Sequence, residues 1–265
     1  MEKVTVFLSD WQVLFREGIH FTLSGEEDIE VIGETTSSEE AMAFIEQKPP
    51  RIVVLNAEHG RLTGIEATGR IKQTLPEVSV ILVMENEDEE IFYFALKSGA
   101  SACVTKDIDP GDLIDIINEV VQGANPISRA LLRPEIAKRA LDDFERFSSI
   151  GGSLADMMAR LTPREAEILR YLAGGGTLDQ AATSLSLAED VISHELEIIL
   201  YKLVTNEQHR KLIIVGQNSP AVTQGSNGGS NGDYITKSEF DTFKNSLLER
   251  FQSLMSELKL GGGSM

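Results

Sequence analysis

Asn56 closes a run of β-branched and aliphatic residues, Ile52-Val53-Val54-Leu55, that reads as a strand buried on both faces. A polar side chain at the carboxyl end of such a strand sits where open α/β sheets place their ligand crevice. An aspartate there could accept a phosphoryl group or hold a metal. An amide cannot attack phosphorus as a carboxylate does, and it offers Mg²⁺ no charge. Two further polar positions end neighbouring strands: Ser9-Asp10 after the first, and Lys106 after the fifth. Asn56 also has a plainer reading, as a strand-end residue that bonds its own loop. Under either reading, phosphoryl transfer at residue 56 is not expected. Elsewhere the chain lacks a Ser/His/Asp or Cys/His set, a phosphate loop and a metal-spaced cluster, and its four histidines (His20, His59, His194, His209) are scattered. No enzymatic activity and no cofactor are expected.

The elements that would position these residues alternate regularly. Apolar strands at 4–8, 29–33, 52–55, 78–84 and 102–105 are separated by helical patterns at 13–23, 37–45, 65–75 and 89–98, and Asp109-Pro110 opens a last helix to Val121. Five such alternations predict an α/β, doubly wound, five-stranded parallel sheet over residues 1–123. Cys103 lies in an apolar context and reads as a small core residue.

The loop closure Gly64-Ile65-Glu66-Ala67-Thr68 and the topology around it resemble the receiver domain of response regulators. The resemblance puts the family's acceptor aspartate on Asn56 and its pair of Mg²⁺-binding acids on Ser9-Asp10. It puts the switch hydroxyl on Met84, the aromatic switch residue on Cys103 and the lysine on Lys106. Of the polar positions only one acid and the lysine are kept. The resemblance therefore implies a pseudo-receiver whose vestigial phosphorylation pocket is Ser9, Asp10, Asn56, Met84 and Lys106.

Residues 124–160 read as a linker with an amphipathic helix over 131–147, carrying Leu132, Ile136, Ala140 and Phe144, followed by a flexible joint at Ser148 to Ser153. The helix fits a surface position on its own domain as well as a dimer contact. Residues 161–215 predict an all-α, four-helix domain: a helix capped by Thr162-Pro163, a short one over Leu178–Leu185, a third over 189–203 and a fourth over 206–214. Leu161-Thr162-Pro163-Arg164-Glu165, with Ile168-Leu169 and the turn Gly174-Gly175-Gly176, resembles a LuxR-type helix-turn-helix domain. Residues 1–214 together resemble a NarL/FixJ-type response regulator. The resemblance implies a DNA-facing set at Thr177, Asp179, Ser193, His194 and Lys202. The positions where the family carries lysines hold Asp179 and Ser193, and Glu189, Asp190, Glu195 and Glu197 would face phosphates.

Charge agrees with weakened DNA binding. The chain carries −18 in all, with 9 Lys/Arg against 24 Asp/Glu in residues 1–122 and 6 against 9 in residues 150–215. Nucleic-acid affinity draws on Lys and Arg neutralising phosphates. The single cysteine excludes a disulfide framework and a multi-Cys zinc site. The N-terminus reads as a strand, and no apolar run reaches membrane-spanning length, so a cytoplasmic protein with no membrane partner is expected.

Residues 216–235 read as a flexible linker, and residues 236–260 as a tethered C-terminal amphipathic helix outside the family pattern. Its stripe of Phe240, Phe243, Leu247, Phe251, Leu254 and Leu258 is too apolar to stay solvated alone. Docking on its own chain competes with self-association or capture of a protein partner, and the linker favours the latter. Two functions follow. The first is a phosphorylation-independent, response-regulator-like transcription regulator acting as a homodimer or higher oligomer, or through a partner. The second is a protein–protein interaction module that has lost both phosphotransfer and DNA reading.

Overall fold

The sheet of the computed structural model, which describes residues 3–149 and 159–218, follows from the strand pattern. Strands β1 (Val4–Ser9), β2 (Ile29–Thr35), β3 (Ile52–Asn56), β4 (Ser79–Met84) and β5 (Ala102–Thr105) pair in the order β2-β1-β3-β4-β5. Every pairing is parallel, with Ser9 beside Leu55, Asn56 beside Val83 and Met84 beside Thr105. The central strand β3 is buried throughout, as its unbroken apolar run requires. The polar residues that end β1 and β3 and follow β5 therefore meet at one edge of the sheet.

Helices α1 (Val13–Ser24) and α5 (Pro110–Val121) cover one face, and α2 (Ser38–Gln47), α3 (Gly64–Thr74) and α4 (Glu89–Ser98) the other. The start of α3 is fixed by Thr63, whose capping box with Glu66 satisfies the first free N–H groups. Gly64 is required there: a Cβ would lie 2.1 Å from the Asn56 carbonyl oxygen. The α/β doubly wound expectation is met.

Three details differ from expectation. The helix predicted over 131–147 divides into a 3₁₀ segment, Pro126–Leu132, and α6, Pro134–Ser149. Pro134 lacks an N–H and biases Arg133 towards the extended conformation seen there, so the helix restarts at the proline. The helices predicted over 189–203 and 206–214 are one continuous helix, α9 (Glu189–Asn218), behind α7 (Pro163–Ala173) and α8 (Leu178–Leu185). Val204-Thr205-Asn206 contains no glycine or proline to stop it. Asn206 is buried and spends its side chain on the Ala159 backbone, accepting at 2.8 Å and donating at 3.0 Å, rather than competing for its own helix.

The third difference is in the core. The sequence reads residues 1–123 and 161–215 as two domains, and packing does not divide them. Instead one cluster runs from Phe7, Val53 and Leu82 through Leu96 on α4 and Ile136, Ala137, Ala140 and Phe144 on α6 to Ile168, Leu169, Ile199 and Leu203. The small residues Ala137 and Ala140 make α6 narrow enough to pack between α4 and α7. A second cluster, including Ile19, Leu23, Leu113 and Ile117, lies under α1 and α5. Residues 150–158, which include most of the joint expected at Ser148 to Ser153, residues 219–235 of the linker and the helix of Phe240, Phe243, Leu247, Phe251, Leu254 and Leu258 lie outside the described residues. No described helix is long and apolar enough to cross a membrane.

Candidate functional site

At the carboxyl edge of the sheet, Asp10, Asn56 and Lys106 come together as their positions predict. Asn56 Nδ2 donates to Asp10 Oδ2 at 3.0 Å, and Lys106 Nζ donates to Asp10 Oδ1 at 3.2 Å. Asn56 Oδ1 accepts from the backbone N–H groups of Glu58 and His59 at 3.2 and 2.9 Å. The plainer reading of Asn56, a strand-end amide bonding its own loop, thus describes half of its contacts. Asp10 is fixed from behind as well: its Oδ1 accepts from the Gln12 N–H at 2.7 Å, and its carbonyl accepts from Arg16 at 2.8 Å.

The remaining contacts belong to a residue that the sequence reading passed over. Glu85 follows the last residue of β4, and its carboxylate closes the pocket. Oε1 accepts from Lys106 at 2.6 Å, Asn56 Nδ2 at 3.2 Å and Trp11 Nε1 at 3.3 Å, while Oε2 accepts from Gln12 Nε2 at 3.2 Å. Burial pushes the Glu85 carboxyl up, but these bonds, with Lys106 first, outweigh it and hold the group below the usual carboxylate range. Trp11 stacks on His59 with ring centroids 4.8 Å apart, and Lys106 lies 5.3 Å from the Trp11 ring centroid, so the pocket also has an aromatic wall. The signal for Glu85 was available: it opens the run Glu85-Asn86-Glu87-Asp88-Glu89-Glu90 directly after a buried strand.

Two of the five expected residues do not contribute side chains. The Ser9 hydroxyl accepts from Thr35 Oγ1 at 3.2 Å, across to β2. Met84 is 1% exposed and lines a separate cavity of about 240 Å³ with Phe92, Cys103, Ile108 and Arg133. Burial there pushes the Cys103 thiol up to about 12. The donor set fits Mg²⁺ badly. Both Asp10 oxygens are engaged, and the Lys106 ammonium already lies against the carboxylates that a hard cation would need.

The helical region places its expected DNA-facing residues unequally. Ser193 and His194 are exposed on the second turn of α9, and Asp179 is exposed on α8. Thr177 is exposed, but its side chain caps α8 by accepting from the Gln180 N–H. Lys202 is a correction: it is 7% exposed, and both Glu165 oxygens accept from it at 2.6 Å. It lies on the side of α9 that carries Ile199 and Leu203, which turns it towards α7. Residues 178–201 contain no lysine or arginine at all. Glu195 is held by Arg164 at 3.4 Å, while Glu197 lines a cavity of about 170 Å³ against the 3₁₀ segment.

A second ionic network joins α4, α6 and α9. Lys97 Nζ lies 2.6 Å from Asp143 and 3.2 Å from Glu207, Tyr93 donates to Asp143 at 2.9 Å, and Arg210 reaches Glu207 at 2.7 Å. Burial pushes the Glu207 carboxyl up, and its bonds to Arg210 and Lys97 more than reverse that, leaving it below its usual range. Burial, then Asp143, pushes the Tyr93 hydroxyl upward.

Residues 6–118 match the response regulator receiver domain family. Along most of its length the chain is similar to transcriptional regulators of the response-regulator type. The transcriptional regulatory protein DegU of Brevibacillus brevis is 25% identical over 222 residues, covering 80% of this chain and 92% of that protein. The transcriptional regulatory protein YxjL of Bacillus subtilis is 26% identical over 218 residues, covering 82% and 97%. A crystal structure of a LuxR-family two-component response regulator from Aurantimonas sp. SI85-9A1 matches 52% of this chain and 98% of that one, at 26% identity and a TM-score of 0.46. Both matches run well beyond residue 118, so the similarity to these two regulators includes the helical region.

Proposed function

We propose that this chain is a response-regulator-type transcription regulator that works without phosphorylation of its receiver. The observation that carries this reading is the Glu85 carboxylate, which accepts from Lys106, Asn56, Trp11 and Gln12 at once. The pocket contains its own anion, and the lysine that would meet an incoming phosphoryl group is already neutralised. Asn56 suits this state, because its two amide hydrogens serve Asp10 and Glu85. Regulation then passes through assembly, as a homodimer or higher oligomer, or through a protein partner. The test is incubation of the full chain with acetyl phosphate and Mg²⁺ followed by intact-mass analysis. No added phosphate is expected, and a stoichiometric acid-labile adduct would overturn the reading.

One observation favours a second reading, an interaction module that no longer reads DNA. Between Leu178 and Tyr201 the helices offer a duplex Asp179, Glu189 and Asp190 and no cationic side chain beyond what His194 could supply. Selection of the full chain against a random duplex library separates the two. An enriched sequence supports the regulator, and none supports the module.

A further inference from the structure

The cavity beside Met84 is a compartment of its own. Its lining comes from the carboxyl ends of β4 and β5, from α4 and from the junction between the 3₁₀ segment and α6. None of Asp10, Asn56, Glu85 and Lys106 lines it. Met84 forms the floor, and Phe92, Cys103 and Ile108 supply apolar walls. Strand β5 ends the sheet, and the Cys103 side chain is short, so neither a further strand nor a large residue fills the space. Its volume of about 240 Å³ exceeds the roughly 150 Å³ that suffices for benzene and falls below the roughly 300 Å³ at which drug-sized sites begin. That is room for one ring or a short chain with a single polar end.

The mouth supplies the polar partner. Among the described residues that line the cavity, Arg133 alone carries a positive charge, and its guanidinium lies 4.9 Å from the Phe92 ring centroid, which holds it beside the apolar wall. Arg133 pairs with Glu87 at 2.7 Å, and the two side chains are 39% and 63% exposed. An ion pair this open to water contributes little, so Glu87, the more exposed partner, gives up Arg133 at small cost. The Thr105 hydroxyl, also on the lining, is bonded to Asp107. What remains is an apolar chamber with one planar, forked donor. A carboxylate matches that fork, whereas the further oxygens of a phosphate would meet no donor. We propose that this cavity binds a small, mainly apolar monocarboxylic acid, its ring or chain against Met84, Phe92, Cys103 and Ile108 and its carboxylate on Arg133 in place of Glu87. Arg133 immediately precedes α6, so a ligand that takes Arg133 from Glu87 acts at the start of the helix that packs between α4 and α7. The proposal does not depend on how the Glu85 pocket is read.

The experiment uses the full chain and two probes of one shape, para-fluorophenylacetate and the neutral para-fluorophenylacetamide, followed by fluorine NMR. The acid should bind with a Kd of about 1 mM or tighter, as its size allows, and at least about tenfold more tightly than the amide. Arg133→Gln should remove that advantage and leave the amide unchanged, whereas Glu87→Gln, which frees Arg133, should tighten the acid. Cys103→Phe, which fills the chamber, should abolish binding of both probes. Where that variant does not fold, the parent chain gives a second readout. Cys103 is its one cysteine, so iodoacetamide alkylation read by intact mass reports on this cavity. With the acid at about ten times its Kd, the free fraction, and with it the alkylation rate, should fall about tenfold. Equal affinities for acid and amide would overturn the proposal, as would an acid affinity indifferent to Arg133→Gln. So would an alkylation rate that the acid does not change, or no binding of either probe.

Discussion

Lys106 at the end of β5 and Lys97 on α4 each face two carboxylates, at 3.2 and 2.6 Å for Lys106 and at 2.6 and 3.2 Å for Lys97. The surroundings separate them. Lys106 joins residues of the sheet edge alone, and the Glu85 side chain is 35% exposed. Lys97 joins α4 to α6 and α9, and its partners Asp143 and Glu207 are 17% and 8% exposed. Water and salt reach the first network through Glu85, while Lys106 and Asp10 are themselves only 11% and 6% exposed. It is therefore the Glu85 arm that is screened, and the consequence is local: it decides what the pocket can accept. The second is desolvated, and a desolvated ion pair adds little net stability over an apolar contact but penalises arrangements that leave one partner alone. Lys97 therefore specifies how the α9 helix sits against α4, while Lys106 specifies the chemistry of the sheet edge.

The largest expected effect breaks that contrast if it fails. Lys97→Ala leaves Asp143 and Glu207 without the cation they share, Arg210 remaining on Glu207. Removing one partner of a buried pair costs about 3–5 kcal/mol. Lys106→Ala, at the half-open pocket, should cost about 1–2 kcal/mol, within the range of a lost hydrogen bond to a charged group. Urea unfolding of the two variants against the parent chain measures the difference. Equal costs would mean that exposure does not distinguish the two lysines.

A smaller effect sharpens the account of the pocket. Asn56→Asp removes two donated hydrogen bonds and sets a third carboxylate against Asp10 and Glu85. A loss of about 1–3 kcal/mol is expected, in keeping with unsatisfied buried polar groups. Adding Glu85→Gln to the same chain should recover part of it, because the new amide can donate where the carboxylate repelled. Additive losses in this double-mutant cycle would show that Asn56 and Glu85 are not coupled.

The sheet and its order were legible because strand and helix periods differ and proline and glycine mark most boundaries. The meeting of Asp10, Asn56 and Lys106 was legible too, since parallel strands bring their carboxyl ends to one edge. Glu85 was missed because attention to the strand-end position stopped at Met84, which the fold turns into the core. Lys202 was misplaced because charge alone does not say which face of a helix a lysine takes. Its spacing from Ile199 and Leu203 puts it on the apolar side, where Glu165 awaits it. The shared core could not be read at all: an amphipathic stripe such as that of α6 states that something covers it, and not what.

The smallest effect is acid sensitivity, and its sign is fixed by the two carboxylates. Glu85 and Glu207 are both held below their usual range in the folded chain. Each therefore contributes stability that is present above the unfolded-state value of about 4.3 and is lost as pH falls through the lower folded value. Glu85→Gln should flatten the decline of unfolding free energy between about pH 5 and pH 3 only slightly, by about 0.2–1 kcal/mol, the range of a solvent-screened pair. Glu207→Gln should flatten it more, because the side chain it replaces is largely withdrawn from water. Salt separates the two further. Raising ionic strength from about 0.05 to 0.5 M shortens the screening length to a few ångströms and should erase the Glu85 contribution while leaving most of that from Glu207. Urea titrations across this pH range at both salt levels check the ordering. If the Glu85 contribution proves the larger and the more salt-resistant, the sheet-edge pocket is the drier of the two networks and the contrast drawn between Lys106 and Lys97 is reversed.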